Sequence, residues 1–175
     1  MTWTLEQWLQ QWRQARIVFV GVGHVLRGDD AAGPLLAQEL AARSVPHVIE
    51  AGSSPERALP AIVRASPDVT LFMDAADFGA PPGAYAVFDA ESVAAGPEAS
   101  GWGGLNLALH ALQEQLACPA FVLGIEPLAL HLGASPSSAI EEAVSEIARQ
   151  IHWYPQKRLE DSAECGYNNS EGEYG

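Results

Sequence analysis

The chain has 175 residues, 48% of them hydrophobic, and its 9 Lys and Arg against 22 Asp and Glu give a formal net charge of −13. This length most simply makes one domain, and the negative field argues against nucleic acid as a partner. No run is long and apolar enough to span a bilayer, so no membrane insertion is expected. Two cysteines and an N-terminal stretch without a signal-type apolar core predict a reduced, cytoplasmic protein.

Residues 1–15 predict an amphipathic helix, which Thr2 or Thr4 is suited to cap. Its large apolar side chains fall mainly on one helical face: Trp3, Leu5, Trp8, Leu9 and Trp12. This face either packs on the flank of its own domain or docks a partner. Three tryptophans on one short helix are more than packing usually needs.

From residue 16 the pattern alternates between buried strands and helices, as in βαβ units. The predicted strands are RIVFVGVG, PHVIEAG, DVTLFMDAAD, GAYAVFDAES and PAFVLGIEP. The predicted helices are DDAAGPLLAQELAAR with an acidic cap, SPERALPAIVRA, GLNLALHALQEQL and SSAIEEAVSEIARQIHW. Residues 16–153 are therefore expected to form one three-layer αβα domain with a five-stranded, mostly parallel sheet. The polar, acidic residues 154–175 are expected to be a disordered tail.

Acidic residues collect where the predicted strands end, which is where open parallel sheets bind their ligands. The residues at these ends are Gly21, Gly23, His24, Asp29, Asp30, Glu50, Asp74, Asp77, Gly124 and Glu126. A dinucleotide fingerprint would need a glycine where Leu26 stands, and its pyrophosphate would meet two carboxylates. A nucleotide-binding, flavodoxin-like module is therefore disfavoured.

The adjacent acids of the first turn, Asp29 and Asp30, are expected to differ in role. Asp29 is the better candidate for an ordinary helix cap. Asp30 shares the edge with Asp74, which ends an apolar strand, and carboxylates held together in a partly dry place raise a pKa or recruit a cation. A divalent metal such as Mg²⁺, Mn²⁺, Zn²⁺ or Ni²⁺, a carboxyl pair that shares a proton, and plain capping all remain open.

Among the other groups that carry chemistry, His24 is the histidine that lies in the first-strand turn. The remaining histidines are more typical of structural or surface positions: His47, His110, His131 and His152. No Gly-x-Ser-x-Gly elbow is present, and Cys118 stands at the opposite end of its predicted strand. A serine or cysteine nucleophile is therefore not expected.

Four segments, in this order, resemble motifs of the hydrogenase maturation endopeptidases, which process the large subunit of nickel-iron hydrogenases: GVGHVLRGDDAAGP, AGSSPE, DAADFGAPPG and LGIEP. The resemblance covers about residues 17–150, and GSSPE resembles the branch that matures the formate-hydrogenlyase hydrogenase. It implies a twisted five-stranded sheet and an endopeptidase that removes the C-terminal extension of the large-subunit precursor after nickel insertion. Nickel would be supplied by the substrate.

The resemblance also implies which residues act. Asp30 and Asp74 match the family's metal-contacting carboxylates and are the expected catalytic residues, in an aspartic-type or metal-assisted reaction. The family's third ligand is a loop histidine, which aligns with Gly101, and the family's first-turn asparagine is replaced by His24. His24 is therefore a candidate substitute ligand. The alternative is a non-catalytic homologue that binds a hydrogenase-like large subunit as a chaperone or scaffold.

Overall fold

The computed structural model describes residues 2–95, 105, 109, 115 and 118–154. The strands are β1 (Thr2–Trp3), β2 (Ile17–Val22), β3 (Val48–Gly52), β4 (Val69–Ala75), β5 (Tyr85–Asp89) and β6 (Ala120–Ile125). The helices are α1 (Leu5–Gln11), α2 (Ala32–Ala42), α3 (Leu59–Ala65), α4 (Ala90–Ala95) and α5 (Ser138–Trp153). Two 3₁₀ turns, Gly28–Ala31 and Pro55–Ala58, lead into α2 and α3.

The strands form one six-stranded sheet in the order β1-β5-β6-β4-β2-β3. The four strands β3, β2, β4 and β6 are parallel, whereas β5 and β1 add antiparallel at one side. All residues of β2 and β4 are buried, because helices cover both faces of a sheet that is apolar on both sides. The carboxyl ends of the four parallel strands therefore meet at one edge, called here the carboxyl edge.

Two apolar cores confirm the three-layer αβα class. Side chains of α1, α2 and α5 pack on one face of the sheet, and those of α3 and α4 pack on the other together with Leu105 and Leu109. Both are helical and buried, and with Gln115, a turn residue, they are the described positions of the predicted helix GLNLALHALQEQL. The rest of that helix, Gly101, and residues 155–175 of the expected tail lie outside the described residues.

The five predicted strands are confirmed, but two elements differ from the prediction. The predicted strand GAYAVFDAES ends at Asp89, and its last residues, 90–92, begin the helix α4, which was not expected. The other difference is the sixth strand, β1. Thr2–Trp3 was expected to be helical or to cap a helix, but it pairs antiparallel with β5, with Trp3 opposite Val87. The helix begins only after Thr4, whose Oγ1 accepts from the Gln7 amide while the Gln7 side chain accepts from the Thr4 amide. The residues before this capping box are extended, so they can cover the open side of β5.

The tryptophan face of α1 packs on the domain itself, as one of the two interpretations predicted. Trp8 is fully buried, and its ring lies edge-on to Phe121 with the ring centroids 5.6 Å apart. Trp12 contacts the same phenylalanine at 5.9 Å. This stacking leaves the buried face of α1 unavailable to a partner.

None of the helices in the part of the chain that the structure describes is long and apolar enough to cross a membrane. The cytoplasmic location stays a prediction.

Candidate active site

Glycines in the first motif allow α2 to begin directly against the sheet. A Cβ atom on Gly21 would overlap the carbonyl oxygen of Gly33, and one on Gly33 would overlap the carbonyl oxygens of Val22 and Met73. Gly23 has a φ of 131°, and a Cβ there would overlap the carbonyl of Asp30. The glycine pattern therefore serves close backbone packing, and it sets Asp30 at the carboxyl edge.

Asp29 is a structural carboxylate, but it does not cap its own helix. It is only 1% exposed and accepts four hydrogen bonds, from the amides of Leu128 (2.7 Å), Ala129 (3.3 Å) and Ser137 (2.6 Å) and from the Ser137 hydroxyl (2.9 Å). The N-cap position of α2 is Ala31, which makes no side-chain capping bond. The expected acidic cap is therefore wrong, because this carboxylate binds the loop between β6 and α5 instead.

The hydrogen bonds of Asp29 also control its ionisation. Burial raises the pKa of this carboxyl group, but the bonds from Ser137, Leu128 and Ala129 outweigh burial and hold the pKa below its ordinary value. Asp29 is thus a buried anion that is fully hydrogen-bonded, and its charge is used to join two loops at the carboxyl edge.

Asp74 and Asp30 come together as predicted. Asp74 lies in β4 opposite Gly124 of β6 and is only 5% exposed. Burial, and secondly the negative charge of Asp30, raise the pKa of Asp74 well above its usual value, although a hydrogen bond from the Ala75 amide opposes this shift. Asp30 itself is half-buried. The pair thus has one member inside the protein and one that reaches solvent.

The backbone amide of His24, at the start of the same turn, holds Asp30 in place. The His24 amide donates to both the carboxylate Oδ2 and the carbonyl oxygen of Asp30, at 3.1 Å each. The His24 ring is exposed, and its Nδ1 accepts a hydrogen bond from the Leu26 amide at 3.1 Å. In the neutral ring the proton therefore lies on Nε2. To bind a cation through either nitrogen in the neutral state, the ring must give up the Leu26 bond.

Asp30 and Asp74 are candidate ligands for a metal ion. Within residues 2–95 and 118–154 and the three isolated described positions, no group of three or more His, Cys, Asp or Glu side chains is placed to hold a metal ion. His24, Asp30 and Asp74 therefore do not form a complete, preformed ligand set. The two carboxylates nevertheless fit a divalent cation as a partial set, because a cation would offset the causes that raise the pKa of Asp74, which are burial first and the charge of Asp30 second.

Glu126, at the end of the fourth motif, holds the loop of the third motif in place. It is 5% exposed, and its Oε2 accepts from the amides of Phe78 (2.9 Å) and Ala80 (3.1 Å). Its backbone pairs with Gly83 and Ala84 of the same loop. From the sequence, Glu126 was expected at this edge but was given no role. The signal for a role was an acid that directly follows an apolar strand, since the carboxyl end of that strand lies beside the loop of the third motif.

The remaining acids at the edge have local partners. Glu50 is exposed and accepts from the Gln38 side chain at 3.3 Å, and Asp77 is exposed and accepts from the Gly79 amide at 3.3 Å. The second motif lies beside the first turn, because the Gly23 amide donates to the carbonyl of Gly52 at 3.0 Å. The four motifs thus share one edge, with Asp30 and Asp74 as its interacting carboxyl pair.

Cys118 lies outside this edge, as expected from its place in the sequence. It precedes β6 at the amino end of the strand, and its Sγ lies 3.4 Å from Thr70 Oγ1. The thiol is therefore at the amino end of β4, whereas Asp74 is at its carboxyl end.

Comparisons with known proteins agree with this arrangement. Residues 34–152 match the HycI family of hydrogenase maturation proteases, a range that includes Asp74 and begins after Asp30. The hydrogenase 3 maturation protease of Escherichia coli K12 is 32% identical over 139 residues, which are 77% of this chain and 87% of that protein.

Two solved structures have the same fold. The crystal structure of the [NiFe] hydrogenase maturation protease HycI from Thermococcus kodakarensis KOD1 superposes with a TM-score of 0.73 and 29% identity, covering 85% of this chain and 96% of that one. The solution structure of the endopeptidase HycI from Escherichia coli gives a TM-score of 0.67 and 27% identity over 83% and 98% of the two chains. Sequence and fold together show that this chain belongs to the hydrogenase maturation protease family.

Proposed function

We propose that this protein is an endopeptidase that removes the C-terminal extension of a nickel-iron hydrogenase large-subunit precursor after nickel has been inserted. The proposal rests chiefly on the interacting carboxyl pair Asp30 and Asp74 at the carboxyl edge of a hydrogenase maturation protease fold. The precursor is its macromolecular substrate, and the cytoplasm is the compartment in which we expect it to act.

Nickel enters this reaction as part of the substrate. Asp30 and Asp74 offer oxygen ligands, and a cation that arrives already ligated by the precursor needs few further ligands from the enzyme. Binding the cation favours the charged form of Asp74, which burial and the charge of Asp30 otherwise disfavour. His24 is the third ligand in this proposal, and it binds only after its ring gives up the Leu26 amide.

The two carboxyl groups have different roles with respect to protons. Asp30 is half-buried and negatively charged beside Asp74, so it is suited to take a proton from an attacking water molecule as a general base. Asp74, whose pKa is raised by burial and by Asp30, keeps its proton to a higher pH and releases it when both carboxylates face a cation. Nickel binding is therefore expected to release a proton and to weaken as the pH falls.

The experiment is incubation of the purified protein with a nickel-loaded, C-terminally extended precursor from the same source, with intact masses read before and after. Asp30→Asn and Asp74→Asn should abolish the loss of the C-terminal peptide while circular dichroism shows an unchanged fold. Asp77→Asn is the matched control, because Asp77 is exposed at the same edge and bonds only locally. Wild-type cleavage by either Asp30→Asn or Asp74→Asn would contradict the assignment.

The second candidate function is that of a non-catalytic homologue that binds the large subunit as a chaperone or scaffold. The observation that favours it is Gly101, which stands in the sequence where the family's ligand histidine is expected. Stable binding of the precursor without a change in its mass would assign this function.

The ligand role of His24 has its own test. Nickel affinity, measured by calorimetric titration, should fall in His24→Ala and stay unchanged in His152→Ala, which removes another exposed imidazole at the end of α5. Equal affinities for wild type and His24→Ala would remove His24 from the ligand set.

A further inference from the structure

Exposed apolar side chains gather in two loops at the carboxyl edge. Of the seven large hydrophobic side chains that are exposed in the described part of the chain, five belong to these loops. They form what is called here the apolar loop surface: Val25 (46% exposed), Leu26 (63%), Leu128 (65%), Leu130 (37%) and Leu132 (80%). Isolated exposed leucines are common, but a group of this kind marks an interaction site more often than chance placement does.

The two loops of the apolar loop surface are held together by backbone hydrogen bonds, so the surface has a defined structure. The Gly133 amide donates to the Leu26 carbonyl at 2.7 Å, and the Gly28 amide donates to the Ala134 carbonyl at 3.1 Å. Ala129 binds Asp29 through both its amide and its carbonyl, so this residue is held toward the protein. The residues on either side of it in the chain, Leu128 and Leu130, have exposed side chains.

The surface is continuous with the carboxyl pair. Val25 and Leu26 directly follow His24, whose amide binds the carboxylate of Asp30. A chain that lies on these side chains can therefore continue to Asp30 within the same turn. Among the described residues, the other two exposed large hydrophobic side chains are not connected to the carboxyl pair in this way, since Val63 lies in α3 and Trp153 ends α5.

One cationic side chain, that of Arg27, and one imidazole, that of His131, lie among the apolar residues of this surface. Arg27 is exposed between the two apolar residues of the first turn and the Gly28–Ala31 turn, and His131 is exposed between Leu130 and Leu132. These are cationic or ionisable side chains on a chain with a net charge of −13. A carboxylate on a partner would complement the positive charge of Arg27.

We propose that the apolar loop surface docks a segment of the precursor that carries apolar side chains and a carboxylate, and so guides the scissile bond to Asp30 and Asp74. This inference rests on the proposed function for the identity of the partner. The leucines supply the buried apolar contact, and Arg27 pairs with the carboxylate of the segment. The surface acts in recognition, so its residues contribute to the affinity for the precursor.

The test measures the affinity of the nickel-loaded precursor for the full-length protein by biolayer interferometry, a binding signal that needs no cleavage. In the triple variant Leu26→Ser, Leu128→Ser, Leu132→Ser, the Kd should rise at least about tenfold, since loss of more than one well-packed apolar contact exceeds 1.4 kcal/mol. KM for processing should rise with it. Arg27→Gln should weaken binding several-fold and reduce its dependence on salt.

The matched control is Val63→Ser with Arg64→Gln, which removes an exposed apolar group and an exposed arginine from α3 and should leave the Kd unchanged. A triple variant that folds and binds the precursor as the wild type does would overturn the inference. If wild type binds but does not cut, the proposed function fails, whereas the Kd comparison still decides the role of the surface. Sedimentation that shows a wild-type dimer, dissociated in the triple variant with the Kd unchanged, would assign the surface to a second copy and overturn the inference.

Discussion

Replacement of Asp29 by asparagine should destabilise the fold strongly, although the two side chains have nearly the same shape. In the structure Asp29 Oδ2 accepts from Leu128 N, Ala129 N and Ser137 Oγ, and Oδ1 accepts from Ser137 N at 2.6 Å. If the asparagine oxygen takes the place of Oδ2, its NH₂ group faces the Ser137 amide, donor against donor. One charge-assisted bond is then lost, and the remaining three become bonds to a neutral acceptor.

The loss of stability in Asp29→Asn follows from the one hydrogen bond that is lost and the three that are weakened. A hydrogen bond to a charged group contributes about 1.5–3 kcal/mol, and a bond to a neutral group about 0.5–1.5 kcal/mol. The loss of one such bond and the weakening of others should lower the free energy of unfolding by about 3 kcal/mol, within a total of about 5–15 kcal/mol for a domain. The site is 1% exposed, so water cannot replace the missing acceptor.

Urea unfolding followed by tryptophan fluorescence measures this loss, because Trp8 and Trp12 pack on Phe121 and report the state of the core. Asp30→Asn is the control next to it in the chain. Asp30 is half-buried and accepts from one amide at 3.1 Å, so this variant should stay within about 1 kcal/mol of wild type while it loses cleavage. An Asp29→Asn variant within about 0.5 kcal/mol of wild type would refute the reasoning.

Three further variants test the packing and the ionisation of the fold. Gly33→Ala should lose about 1–3 kcal/mol or more in urea unfolding, because the new Cβ overlaps two carbonyl oxygens; wild-type stability would mean that α2 shifts freely. Trp8→Ala should lose about 3–5 kcal/mol, and a loss below about 1 kcal/mol would show that α1 is dispensable to the core. Burial and a nearby arginine lower the pKa of His47, whose Nε2 is buried without a partner, so unfolding takes up a proton and stability falls as the pH drops below about 6.5. Asparagine tolerates the positive φ of 57° at this position, so His47→Asn should fold. In this variant the part of the decline in stability between pH 7 and pH 5 that is due to His47 should vanish. An unchanged pH profile would exclude His47 as its source.

Several features of the fold and the site could be predicted from local sequence. The apolar runs of β2 and β4 identify strands buried on both faces, and the alternation with helices identifies the three layers. Because parallel strands bring their carboxyl ends to one edge, the positions of Asp30 and Asp74 in the chain were enough to predict that they meet. The resemblance of the motifs to hydrogenase maturation endopeptidases is also borne out by the family match.

Other features depend on tertiary contacts that have no local signature. Strand β1 contains two residues, too few for any periodicity, and forms because β5 has an open side. The partners of Asp29 are 99 to 108 residues away, so its role as a joint between loops, rather than as a helix cap, could not be read from its position before a helix. The exposure of the leucines after β6 likewise depends on how that loop is held by Asp29.

The sequence alone therefore determined the strands β2 to β6, the helices α1, α2, α3 and α5, and which acids reach the carboxyl edge, because periodicity and chain order are local properties. Only the tertiary structure decided which of those acids is buried, charged or hydrogen-bonded. Burial and hydrogen bonding depend on groups that distant parts of the chain bring together, and these groups determine whether a carboxylate such as Asp29 supports the fold or, like Asp74 beside Asp30, is left with a raised pKa.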